Sequence, residues 1–468
     1  GCQHAKMALD PVEHLMNVPP EHDFHLWRTA EQVHELGAVT HTNGRHPVTS
    51  YIDRVVMEGH QRRALEHRHP VEIELGLDRV LLVLRRLFPK PPSARIITVA
   101  GTNGKGSTIA ALESILRDAG QTVAAYTSPH IERYNERIRI DGQELDDARI
   151  VRAFERVESA RGSVSLTYFE FGTLAAFVAF EEACSQNWLL EVGLGGRLDA
   201  VNALDPNMAV ITSVGLDHTA WLGNDRETIG YEKAGVLRAG GVAICAELEP
   251  PRSVVNQARA QGVSLYRHGE AYRIERDGER LEVIDVDGAR RVALPDRGLP
   301  EQSLAAAVQA TWLIEPEIRD DSISASLAQT VVPGRFEVRS GAPAVILDVG
   351  HNPDAARWLA ARLHRMPCRG RRYAIYAGLE DKDSGGVMEA LANAVDAWYL
   401  ASLRGPRALP AAALEARGRG RVSAPMHCCD SVGDALSAAM KGASPGDEVI
   451  VFGSFYTVAE ARAWLDRN

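Results

Sequence analysis

From about residue 78 onward the chain alternates two apolar patterns. Short β-branched or aliphatic runs at 96–99, 122–126, 188–192 and 208–213 have the length of buried strands. Between them apolar residues fall three and four apart, as in Ile109, Leu112, Ile115 and Leu116, which predicts a helix after the first strand. The same spacing predicts helices over 80–87, 148–160 and 168–183, and Pro89, Pro91 and Pro92 stop the first of these. Strands alternating with helices predict an α/β fold with a mostly parallel sheet. Residues 270–295 break the rhythm: Asp277-Gly278 and Asp287-Gly288 predict hairpins between short antiparallel strands. A helix over 303–314 and a linker over 331–335 lead into a second α/β pattern. Its strands are predicted at 344–349, 373–377, 397–401 and 448–452, with Pro353 starting the helix after the first. The expected division is an extension of unknown role over 1–49, a larger domain over 50–332 and a smaller one over 333–468. In the extension, Leu26, Trp27, Ala30 and Val33 have helical spacing.

Composition narrows the function classes. The 468 residues are 45% hydrophobic and 24% charged, an ordinary globular balance. A net charge of −10 argues against nucleic acid as a partner. No apolar run has membrane length and no signal peptide is read, so no membrane partner is expected. The six cysteines show no C-x-x-C spacing, and the simplest reading is reduced thiols in a cytoplasm. His22 and His25 flank Asp23, but no Cys or spaced carboxylate set completes a metal site there, and surface histidine is the better reading.

The most informative stretch is Gly101-Thr102-Asn103-Gly104-Lys105-Gly106-Ser107-Thr108, between the first strand and its helix. Glycines let successive backbone N–H groups turn toward an anion, and the helix N-terminus adds partial positive charge. Lys105 can reach the β/γ-phosphates of ATP, and Ser107 or Thr108 can approach Mg²⁺. An ordinary tight turn is the competing reading. The usual phosphate-loop expression is not met, because Gly106 separates Lys105 from Ser107. Three further strands deliver Ser128, Glu191 and His218 just past their C-terminal ends, where open α/β sheets bind ligands. Taken singly, Glu191 reads as a surface carboxylate and His218 as a satisfied core histidine. Beside a phosphate loop they make an oxygen-rich set that suits Mg²⁺.

Eight strings elsewhere carry a resemblance: Ser128-Pro129-His130, Tyr134 to Ile138, Gly193 to Asp199, Leu216-Asp217-His218-Thr219, Glu232-Lys233-Ala234-Gly235, Pro333-Gly334-Arg335-Phe336, Asp348 to Pro353 and Gly453-Ser454-Phe455. With the Gly-Thr-Asn-Gly-Lys-Gly-Ser loop, they resemble the motifs of the bacterial dihydrofolate synthase/folylpolyglutamate synthase family, in motif order from about His69 to the C-terminus. That family belongs to the Mur ligase superfamily. The resemblance implies a Mur-ligase-type P-loop ATPase domain followed by a smaller Rossmann-like α/β domain. It implies an ATP-dependent amide ligase that adds L-glutamate to dihydropteroate and reduced folates through an acyl phosphate. It also implies residue roles. Gly101 to Thr108, Ser303, Arg335 and Asp348 would bind ATP. Ser128 and Glu191 would hold one Mg²⁺, and Glu191, His218 and Lys233 a second, with Lys233 carbamylated. Pro129, Asn135, Arg137, Asp199, His351 and Ser454 would bind the other substrates, while Lys105, Lys233, His218 and His351 would serve catalysis. Lys382 also matches a family motif. From the residues alone, Lys233 reads as an ion-pair partner of a helical neighbour. The family often has Asn-Ala where this chain has Ser303-Leu304, and an acidic residue where it has Ala220. A cell-wall amino-acid ligase and a nucleotide-binding protein without ligase activity are the other readings. A monomer is expected.

Overall fold

The computed structural model describes residues 74–468 except 279, 297 and 406. The helical spacing near Trp27 and the His22, Asp23, His25 group lie outside the described residues.

Eight strands form the first sheet: β1 (Arg95–Ala100), β2 (Val123–Tyr126), β3 (Ile138–Ile140), β4 (Gln143–Glu144), β5 (Asn187–Glu191), β6 (Met208–Ile211), β7 (Val242–Cys245) and β8 (Ser264–Arg267). Their order is β4-β3-β2-β5-β1-β6-β7-β8. All neighbours are parallel except at the β4-β3-β2 edge. The parallel strands read as unbroken apolar runs because both faces are covered. Alternation still sorts the side chains. Trp188 and Leu190 of β5 join one core, with Phe177 and Phe180 of the helix Tyr168–Glu182. Leu189 joins the other, with Ile109, Leu112 and Ala305. The helix Glu301–Ile314 is apolar nearly all round because it is wedged between the first sheet and a three-stranded antiparallel sheet. That sheet contains β9 (Tyr272–Asp277), β10 (Arg280–Asp285) and β11 (Arg291–Ala293), joined by the two anticipated hairpins.

The last sheet has the order β12-β13-β17-β14-β15-β16. Its strands are β12 (Glu337–Arg339), β13 (Ala344–Asp348), β14 (Arg372–Tyr376), β15 (Ala397–Ala401), β16 (Met426–Cys429) and β17 (Glu448–Phe452). Only the β12–β13 pair is antiparallel. The helix Pro353–Arg365 starts at the anticipated proline, with Asn352 as its N-cap.

Tyr134–Arg137 is a 3₁₀ turn that feeds directly into β3. Glu136 closes the turn by accepting the N–H groups of Ile131, Glu132 and Arg133 at 2.6–2.7 Å. Strands β7, β8, β12 and β16 escaped the apolar pattern. They are three or four residues long, and β8 and β16 are incompletely buried edges.

Candidate active site

Strand β1 lies between β5 and β6, and the loop after it sits at the C-terminal edge of the sheet. The loop is shaped by close approach. A Cβ on Gly101 would fall 1.8 Å from Thr212 Oγ1, and one on Gly104, at φ 85°, would fall 2.3 Å from Ser303 Oγ. Thr212 and Ser213, just past β6, staple the loop. Thr212 Oγ1 donates to Asn103 O at 2.7 Å, and Ser213 Oγ accepts Asn103 N–H at 2.8 Å. Thr102 N–H donates to Ser213 O at 2.8 Å. Neither residue was singled out from the sequence. The available signal was a polar Thr-Ser pair directly after an apolar strand.

The helix Lys105–Asp118 begins at Lys105. Lys105 Nζ donates to Gly101 O at 3.1 Å and to Thr102 O at 3.4 Å, and lies 4.0 Å from Glu191 Oε1. Burial lowers its pKa; Glu191 opposes that shift, and Arg335 adds to it. Glu191 ends β5, and its Oε2 accepts Ser128 N–H at 3.1 Å. Burial raises its pKa against the pull of Lys105 and of the Ser128 amide. Thr108 Oγ1 lies within reach of the carbonyls of Gly104 and Ser303. Ser107 Oγ is buried and has no partner among the described residues. Of the two hydroxyls proposed to approach a cation, Ser107 is therefore the open one.

His218 adopts the left-handed conformation at φ 52° and ψ 38°. Burial takes its pKa down to about 4, and Asp217 opposes the shift. Lys233 is buried in the last turn of the helix Arg226–Ala234. The ion pair with a helical neighbour read from the sequence does not form, because Glu232 is paired with Arg197 at 2.9 Å. Among the described residues no acceptor lies within bonding distance of Lys233, and burial brings its pKa down to about 7. Also among the described residues, no three His, Cys, Asp or Glu side chains converge to hold a metal. The donor set nevertheless fits Mg²⁺, which takes one or two protein carboxylates and fills its shell with phosphate oxygens and water. Glu191 and the unpartnered Ser107 hydroxyl supply such a set.

Several candidate substrate residues are engaged with the protein itself. Asp199 accepts Leu194 N–H at 2.9 Å and Val201 N–H at 3.0 Å, and burial pushes its pKa up to about 7. Asn135 donates to Leu145 O and Asp147. Arg137 donates to His130 Nδ1 at 2.8 Å and lies over the rings of Tyr134 and Tyr168. Pro129 is exposed, and its peptide bond to Ser128 is cis.

On the second domain, Asp348 is buried. It accepts Phe336 N–H at 2.9 Å and Gly350 N–H at 2.7 Å, fixing the turn that carries His351. Arg335 lies over the ring of Phe455. Ser454 caps the helix Phe455–Leu465 through Thr457 N–H at 3.0 Å. His351 Nε2 reaches across to Asp217 Oδ2 at 3.3 Å. The His351, Arg335 and Lys105 elements thus meet at one seam between the two sheets.

Comparison with known proteins agrees with this arrangement. The glutamate ligase domain of the Mur ligases matches residues 334–455. The dihydrofolate synthase/folylpolyglutamate synthase of Escherichia coli is 44% identical over 403 residues, spanning 86% of this chain and 94% of that protein. The Haemophilus influenzae protein of the same name is 36% identical over 415 residues, spanning 85% and 94%. The E. coli FolC structure with DHPP and ADP superposes with a TM-score of 0.83 at 41% identity, covering 91% of this chain and 99% of that one. A bifunctional folylpolyglutamate synthase/dihydrofolate synthase structure with Mn, AMPPNP and L-glutamate gives 0.80 at 44% identity, covering 87% and 98%. The chain therefore belongs to the dihydrofolate synthase/folylpolyglutamate synthase family of ATP-dependent glutamate ligases, built on the Mur ligase fold.

Proposed function

We propose that this chain adds L-glutamate to dihydropteroate and to reduced folates, cleaving ATP to ADP and phosphate. The observation that carries the reading is the seam itself. A phosphate loop with Lys105 and Glu191 faces, across one gap, the His351 turn of a glutamate ligase domain. Residues 50–332 would form the ATP-binding domain and 333–468 the glutamate domain. Over 74–468, apart from three single residues, no helix is long and apolar enough to cross a membrane. A monomer in the cytoplasm, with small molecules as its partners, completes the reading.

The substrate carboxylate attacks the γ-phosphorus of ATP. A carboxylate O–P bond forms, the bond to the β-phosphate oxygen breaks, and ADP leaves. The glutamate amine then attacks the acyl carbon, phosphate leaves with the C–O bonding pair, and the amine proton passes to solvent. Two anions approaching to about 4 Å repel by about 4 kcal/mol at an effective dielectric of 20. Lys105 offsets this at the loop, and Arg335 does so from the linker. When bound, two Mg²⁺ ions would neutralise phosphate charge, with Ser128 and Glu191 at one and Glu191, His218 and Lys233 at the other.

As an ammonium Lys233 cannot ligate a cation, and its carbamate supplies the oxygen donors that Mg²⁺ prefers. An unpartnered buried amine with a pKa of about 7 is substantially neutral near neutral pH, the form that attacks CO₂. An N–C bond forms and one proton is released. Ser303 backs the loop at Gly104 and borders the nucleotide. Pro129, Asn135, Arg137 and Asp199 shape the folate side. Asp348 and Ser454 fix the glutamate side by holding the turns beside His351. The test is product mass with dihydropteroate, ATP and glutamate. The expected product is the acceptor plus one glutamyl residue, and an unmodified acceptor would overturn the reading. ¹³C spectra of the chain in labelled bicarbonate should show a carbamate signal that Lys233→Ala lacks.

A further inference from the structure

Asp217 belongs to the ATP-binding part of the chain, yet three of its four hydrogen-bond or ion-pair partners come from the glutamate domain. Oδ1 accepts from Lys382 Nζ at 2.5 Å and from the main-chain N–H of His218 at 2.8 Å. Oδ2 faces His351 Nε2 at 3.3 Å and accepts from Asn352 Nδ2 at 3.3 Å. Asp217 and Lys382 are both buried. Asn352 carries the network on to the phosphate loop. Its amide and that of Asn103 exchange hydrogen bonds at 3.0 Å in each direction. Lys382 is held in place from behind. Arg417 donates to the carbonyl of Lys382 at 3.1 Å, Arg407 pairs with Asp381, and Asp383 caps the helix Ser384–Leu391.

A buried ion pair is a poor source of stability unless its remaining hydrogen-bonding capacity is met. Here Oδ1 meets two groups and Oδ2 three, the third being His218 Nε2 at 4.0 Å. The arrangement forms only when the two domains stand at one separation and one angle, because Lys382 and His351 lie on different loops. We propose that Asp217 is the positioning residue that sets the glutamate domain against the ATP site. One of its oxygens aims His351, and the other fixes the backbone of His218. The inference rests on reading the site as a glutamate ligase, and gives Asp217 no contact with the reacting atoms.

Asp217→Asn tests it. The amide keeps one oxygen for His218 N–H and Lys382, but turns an NH₂ group toward Asn352 Nδ2 and the His351 ring. The glutamate KM should rise about tenfold or more while the ATP KM stays within about threefold, a split that a general loss of structure would not give. Lys382→Met removes the partner from the other domain without touching residues 217 and 218, and should raise the glutamate KM likewise. Coupling predicts that the double variant is no worse than the poorer single one. An unchanged glutamate KM in a folded variant, equal rises for ATP and glutamate, or multiplicative effects in the double variant would each overturn the proposal. If Asp217→Asn does not fold, Lys382→Met and Asn352→Ala carry the same comparison. A wild-type chain that consumes no glutamate with any folate acceptor overturns the ligase reading instead, and that measurement comes first.

Discussion

Replacing Lys105 by Met separates charge from packing. Met keeps an unbranched stem of similar length and removes the ammonium. A cation about 4 Å from one phosphate charge is worth about 4 kcal/mol at an effective dielectric of 20. With about 1.4 kcal/mol per factor of ten, kcat/KM should fall about a thousandfold. Stability should respond quite differently. Burial lowers the pKa of Lys105, so the fold disfavours its charged form, and removing the charge relieves that cost. The variant also loses the hydrogen bonds to Gly101 O and Thr102 O, worth about 0.5–1.5 kcal/mol each. The two effects oppose, and the net change should lie within about 1 kcal/mol. Steady-state ADP release and a denaturant titration measure both quantities on one preparation. Turnover within about tenfold of wild type would show that Lys105 does not face the transferring phosphate. A loss of several kcal/mol in stability would show that it holds the loop instead.

Glu191→Gln removes the charge of the buried carboxylate 4.0 Å from Lys105, and a Mg²⁺ titration should show half-saturation raised about tenfold or more. Gly104→Ala places a non-glycine residue at φ 85° and a Cβ against Ser303 Oγ; it should cost about 1–2 kcal/mol in stability and raise the ATP KM, and adding Ser303→Ala should recover part of both. Lys233→Ala should be nearly inactive, with partial recovery in acetate at constant ionic strength. Wild-type-like activity without acetate would remove the carbamate role. Because the Lys233 amine is neutral above a pKa of about 7 and protonated below it, wild-type activity should decline as pH falls through that value and recover in part with added bicarbonate. Trp188→Ala opens a cavity between Phe177 and Phe180 and should destabilise the chain by about 3–5 kcal/mol in a thermal or denaturant melt.

The central parallel strands β1, β2, β5 and β6 and the phosphate loop were legible because their determinants are local. A buried strand needs only an apolar run, and the loop needs glycines ahead of a helix. Edge strands such as β16, Met-His-Cys-Cys, carry no such run, since half of their surface faces solvent. The turn at Glu136 was missed because one carboxylate bonded to three N–H groups leaves no periodic trace. Residue types at the site were legible, but their partners were not. Glu232 looked available to Lys233 at sequence distance one, yet Arg197, thirty-five positions away, takes it. Asp217 stood in a recognisable string, but its four partners come from residues 218, 351, 352 and 382, and only folding brings the last three together.

Glutamate-dependent ADP release, measured with one acceptor at a time, bears most directly on what the chain does. Dihydropteroate, a tetrahydrofolate and a UDP-linked muramyl acceptor should be compared at equal concentration with ATP and Mg²⁺. ADP should appear with the pteroate or folate acceptor only when glutamate is present, and one glutamyl residue should enter the acceptor for each ADP formed. Equal ADP release without glutamate, or turnover confined to the muramyl acceptor, would contradict a folate–glutamate ligase at this site.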